Sequence, residues 1–92
     1  MRSLNINRTD RKGRKQGLWE SYWRNDNIEM RGSYKNDLAE GDWEFYYMDG
    51  KLHSKGLYKN GEKEGIWEYY NKDGSLDCKR LFENGYYIEP VK

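Results

Sequence analysis

Ninety-two residues set a soft limit of one domain with a modest core. Aromatic residues make up 16% of the chain, all hydrophobic residues 35% and charged residues 36%, so rings must supply most of the burial, an unusual balance for a helical bundle. Seventeen Lys and Arg against sixteen Asp and Glu leave a net charge of +1, which argues against a dedicated nucleic-acid binder.

The N-terminal stretch Met1 to Arg8 lacks the apolar segment of a signal peptide, and nowhere do about eighteen apolar residues run together, so a soluble, cytoplasmic protein is expected. Asn7-Arg8-Thr9 spells a glycosylation sequon, which carries no weight without a leader. Charge is unevenly spread: residues 1–35 hold nine basic and four acidic residues (+5), and residues 36–92 hold eight and twelve (−4). Arg8, Arg11, Lys12, Arg14 and Lys15 cluster at the start of the chain as a candidate patch for a membrane surface or another anionic ligand. Attraction to anionic lipid is worth about 1 kcal/mol per basic residue, and no adjoining apolar segment would insert. A solvated lead-in explains the cluster as well.

Beyond this stretch the chain repeats with a period of 24 residues. Gly17-Leu18-Trp19-Glu20-Ser21-Tyr22 lies over Gly41-Asp42-Trp43-Glu44-Phe45-Tyr46 and over Gly65-Ile66-Trp67-Glu68-Tyr69-Tyr70. Ile28, Leu52 and Leu76 align further on, as do Tyr34, Tyr58 and Phe82, and then Asn36, Asn60 and Asn84. Leu4 and Ile6 belong to a half repeat, and Asn84-Gly85-Tyr86 opens another. The expected organisation is one domain, 1–92, with a half repeat at 1–10, full repeats at 11–34, 35–58 and 59–82, and a half repeat at 83–92.

Alternating apolar residues and turn dipeptides make each repeat two strands, so an all-β, antiparallel sheet of repeated hairpins is expected. Asp49-Gly50 and Asp73-Gly74 read as two-residue type I′ loops, giving Gly50 and Gly74 structural roles. Opposed residues then sum to 99: Tyr47 with Leu52, Phe45 with Ser54, Glu44 with Lys55, and Trp43 with Gly56. The same offset opposes Glu20 with Arg31 and Glu68 with Lys79 as cross-strand ion pairs. Gly56 opposite Trp43, and Gly32 opposite Trp19, leave room for an indole to lie across the backbone. Asn25-Asp26-Asn27 replaces Asp-Gly in the first repeat, and Arg80 stands where the third repeat should have glycine. Those two hairpins depart from the pattern.

Side-chain alternation sorts the repeat into two faces. One gathers Trp19, Trp43 and Trp67, the structural core, with Trp23, Ile28, Met30, Tyr34, Phe45, Tyr47, Leu52, Tyr58, Tyr69, Leu76 and Phe82. The other carries the Glu/Lys rungs with Tyr22, Tyr46 and Tyr70 in one column beside Leu57 and Leu81.

Gly41-x-Trp43-x-x-Tyr46-Tyr47-x-Asp49-Gly50-x-Leu52 and Gly56-x-Tyr58-x-Asn60-Gly61-x-x-x-Gly65-x-Trp67 resemble the bacterial variant of the MORN repeat over almost the whole chain. This resemblance implies an elongated, single-layer, twisted sheet with a ring-lined groove. Many such proteins are of an antitoxin or immunity type, YwqK-like in kind, and related eukaryotic repeats bind proteins or phospholipids. It implies no catalytic residues.

The residues themselves point the same way. His53 is the single histidine and Cys78 the single cysteine, so neither a metal-ligand set nor a disulfide can be assembled, and no cofactor or metal is expected. No phosphate-binding glycine loop is present, and Glu62 and Glu64 flank Lys63 in a turn rather than forming an acid/base pair. The expectation is therefore not an enzyme but a protein-binding module acting through Tyr22, Tyr46 and Tyr70. The alternatives are the basic patch, or self-assembly through open sheet edges.

Overall fold

The computed structural model describes residues 6–91. Strands β1 (Arg8–Thr9), β2 (Lys15–Tyr22), β3 (Ile28–Lys35), β4 (Leu38–Tyr46), β5 (Leu52–Lys59), β6 (Glu62–Tyr70), β7 (Leu76–Glu83) and β8 (Tyr86–Val91) follow one another. They form a single open antiparallel sheet in chain order, and no helix occurs among the described residues. Overall extents of 44 × 32 × 15 Å mean one layer of backbone with side chains on both faces. Leu4, assigned to the N-terminal half repeat, lies outside the described residues.

The register holds through most of the central hairpin and then slips. Trp43 opposes Gly56, Glu44 opposes Lys55 and Phe45 opposes Ser54, but a bulge between Phe45 and Tyr46 brings Tyr46, not Tyr47, opposite Leu52. Tyr47 leaves the strand: its ring meets His53 edge-on at 4.8 Å and its hydroxyl donates to the Tyr70 carbonyl at 2.7 Å. The same bulge recurs at Ser21/Tyr22 and at Tyr69/Tyr70.

The expected type I′ loops at Asp49-Gly50 and Asp73-Gly74 are not formed. Only the glycine of each pair is left-handed, at φ 94° in both. The Gly50 amide donates to the Tyr47 carbonyl at 3.0 Å, and the Asp49 carboxylate accepts from the Lys51 amide at 2.9 Å, closing a wider turn. Asn25-Asp26-Asn27 builds the same turn, with Asp26 left-handed at φ 70° and the Asn25 side chain accepting from the Asn27 amide. Type I′ geometry instead joins the repeats, where two residues in succession are left-handed: Asn36-Asp37, Asn60-Gly61 and Asn84-Gly85.

The core is three side chains deep in burial: Trp43, Trp67 and Phe82, with Met30, Tyr34, Ala39, Phe45, Tyr58 and Tyr69 packed around them. Each indole lies across a glycine, though not the one opposed to it in its own hairpin. A Cβ on Gly32 would sit 1.9 Å from the Trp43 ring, and one on Gly56 would sit 2.1 Å from Trp67. Each ring therefore reaches back over the preceding repeat and covers its backbone. Trp43 Nε1 donates to the Ser33 carbonyl at 3.1 Å and Trp67 Nε1 to Leu57 at 3.0 Å, so the repeats are stitched by indoles. Arg80 is thereby explained, because no tryptophan stands 11 residues later to need a glycine there.

Candidate functional site

The tyrosine column lies on the face away from the tryptophans, tied to its own strands. Tyr46 and Tyr70 each donate their hydroxyl at 2.8 Å to the carboxylate two residues earlier, Glu44 and Glu68, and Tyr22 does the same with Glu20. The two-residue spacing on a strand puts both groups on one face. The three predicted charge pairs are opposed in register, and ion pairs also cross to the neighbouring hairpin. Arg31 meets Glu44 at 3.0 Å and Glu20 at 3.8 Å, while Glu68 lies between Lys55 at 3.6 Å and Lys79 at 3.7 Å. The Tyr70 bond and the two lysines hold the Glu68 carboxyl below its ordinary range. Burial, reinforced by Glu44, raises the Tyr46 phenol, and the Glu68 carboxylate raises that of Tyr70. Beside this ladder Leu57 and Ile66 are 41% and 52% exposed, and a groove of about 600 Å³ runs over Asp42, Glu44, Lys55, Leu57, Ile66 and Glu68.

The opposite face is a continuous run of rings. Trp19 meets Tyr34, Tyr34 meets Trp43, Trp43 meets Tyr58 and Tyr58 meets Trp67, all edge-on with centroids 5.0–5.9 Å apart. Cations lie on it. Lys63 Nζ stands 4.8 Å from the Trp67 centroid and 4.9 Å from Phe82, and Lys15 Nζ stands 5.0 Å from Trp19 and 4.9 Å from Tyr34. The Arg80 guanidinium is 5.3 Å from Tyr69 and 5.6 Å from Tyr87. Sequence reading had no role for these cations on the aromatic face. The 48-residue spacing of Lys15 and Lys63, two repeat periods, was the available signal.

The five basic residues of the N-terminal stretch do not form one free patch. Arg8, Arg11 and Lys12 are exposed, but Arg14 forms an ion pair with Asp10 at 2.7 Å and Lys15 turns to the rings. The Arg14 amide and guanidinium, with help from Gln16 and Lys12, pull the Asp10 carboxyl down to about 2.

Other candidate polar residues serve the architecture. Glu64 Oε1 accepts from the Asn84 amide at 3.2 Å, as Glu40 does from Asn60 and Gln16 from Asn36, so this column supports the turns between repeats. His53 Nδ1 lies 3.0 Å from the Ser54 hydroxyl, and Cys78 is half-buried opposite Tyr69. Among the described residues no group of three or more His, Cys, Asp or Glu side chains is arranged to hold a metal ion.

Residues 15–36, 39–60 and 63–84 match the family described as MORN repeat variant. Three segments of 22 residues cover 66 of the 92, and the chain belongs to this family. Repeats of the family are in general non-catalytic modules that bind proteins or membranes. No curated protein and no solved structure gives a match.

Proposed function

We propose that the chain is a protein-binding module whose contact surface is the face carrying Tyr22, Tyr46 and Tyr70. One observation carries this reading. The hydroxyl–carboxylate bonds fix the tyrosines on one side of the Glu/Lys rungs, with exposed Leu57 and Ile66 on the other side of the same rungs, and rigid rings and aliphatic side chains about a charged ladder have the makeup of an interface. The tryptophan core on the other face is complete without them. Within this proposal an antitoxin- or immunity-type role in a bacterial cytoplasm is the specific form we favour, and it makes a small toxin-like protein the first partner to seek. The membrane-surface alternative is weakened by the engagement of Arg14 and Lys15.

The test is co-purification from the native source, followed by two variants. Tyr46→Ser with Tyr70→Ser removes the rings, and Leu57→Asp leaves them while charging the groove. Both are expected to stay folded and lose the partner. A folded double variant that retains full affinity would sink the reading.

A further inference from the structure

Positions 15, 39 and 63 are equivalent in the three repeats, and they hold Lys, Ala and Lys. In the third repeat Lys63 Nζ sits among Trp67, Tyr69 and Phe82, at 4.8, 5.6 and 4.9 Å from their centroids, and donates to the Tyr69 hydroxyl at 3.1 Å. In the first, Lys15 Nζ covers Trp19 and Tyr34. The middle repeat has the matching rings, Trp43, Phe45 and Tyr58, but Ala39 provides no cation. A cavity of about 380 Å³ opens there, lined by these three rings together with Tyr34, Asp37 and Ala39. Asp37 reaches this cavity from the turn between the first and second repeats, where its Oδ1 accepts from the Lys15 amide at 2.6 Å.

We propose that this cavity is a binding site for the alkylammonium group of a lysine side chain on a protein partner. The repeat itself shows the occupant: three rings close over Lys63 in the third repeat, and two of the three equivalents, Trp19 and Tyr34, close over Lys15 in the first, where Ser21 replaces the middle ring, so the middle cage has the quadrupole field for one more. Asp37 adds a carboxylate at the rim. Phe45 stands where Tyr69 offers its hydroxyl, so a primary ammonium would give up one hydrogen bond on entry. An N-methylated ammonium has fewer donors to satisfy and is favoured. The site lies on the tryptophan face and does not depend on the proposed tyrosine surface, so each can fail without the other.

The experiment follows the indole Nε1–H resonances of the intact chain by NMR while N-acetyl-lysine methylamide, its ε-trimethyl form and its neutral ε-acetyl form are titrated separately, with phosphocholine as a fourth probe. The Trp43 resonance is expected to move with the two charged lysine probes, more readily with the trimethyl form, and about ten-fold less readily with the acetylated one, as loss of a desolvated cation–π contact requires. Ala39→Lys should fill the cage from within and abolish the response; Ala39→Met fills it without charge and serves the same purpose. No response in the parent protein, equal response to the acetylated probe, or an undiminished response in a folded Ala39→Lys variant would each overturn the proposal. Phosphocholine binding more tightly than the lysine probes would also overturn it, by assigning the cage to a lipid headgroup.

Discussion

Trp43 and Gly32 act as a pair. The indole is 3% exposed, pinned by its Nε1 bond, and stacked where Gly32 has no side chain. Trp43→Ala is expected to cost about 3–5 kcal/mol, as for an aromatic lost from a core. Gly32→Ala should cost about 3 kcal/mol by overpacking, because a new methyl 1.9 Å from the ring forces the indole off the sheet. Arg80 occupies the equivalent position without such a neighbour, so Arg80→Gly should bring no gain; urea denaturation measures all three. That a tryptophan lies over a glycine was legible in the sequence, but which glycine was not. The opposed residue is set by local register, whereas the direction of the indole depends on how hairpins pack on one another. The tyrosine phenols supply a pH test. Their ionisation is shifted upward from the ordinary value of 10.0 in Tyr46 and Tyr70. The folded state then holds these protons longer than the unfolded chain, so their contribution is present below pH 10 and is lost as pH rises through the higher folded values. The melting temperature should fall above about pH 10, and less steeply in Tyr46→Phe with Tyr70→Phe.

Turns separate into two classes at the level of the hairpin. The tips within repeats use one left-handed residue and an Asx acceptor, whereas the links between repeats use two left-handed residues in succession. Asp-Gly was read as the tighter class because both dipeptides favour left-handed geometry, and the bulge after Phe45 that widens the tip has no marker in the residues flanking it. Strand number and order, the pairing from Trp43 to Phe45 and the separation of the two faces were legible, since they follow from period-two alternation and the 24-residue repeat. Asp26 is the one tip residue forced into the left-handed region without being glycine. Asp26→Gly should raise stability by up to about 1 kcal/mol, read as a higher melting temperature. An unchanged or lower value would mean that the Asp26 side chain contributes in a way its backbone angle does not reveal.

At the scale of the whole sheet, the described residues form a row of hairpins in which the terminal strands β1 and β8 each pair on one side only. Tyr86, Tyr87 and Ile88 on the last strand are 74%, 49% and 48% exposed, in contrast to the covered rings of the middle repeats. Stability in such an array is a sum over nearest neighbours, and the ends have one neighbour each. Amide exchange should therefore be slowest in β4, β5 and β6 and fastest in β8. Uniform protection along the chain would contradict this one-dimensional picture.

Because every strand pairs with the next one along the chain, no two opposed residues among those described are further apart in sequence than 17 positions, the separation of Gly17 and Tyr34, of Gly41 and Tyr58, and of Gly65 and Phe82. Most all-β proteins fold slowly because strands distant in sequence must find each other across long loops. Here no such search is needed. Once one hairpin has closed, each further strand adds to an existing edge with only a short loop to close, so assembly can spread like a zipper in either direction from the middle. Refolding by stopped-flow tryptophan fluorescence should accordingly finish within milliseconds, nearer to a helical bundle than to a β-sandwich of this size.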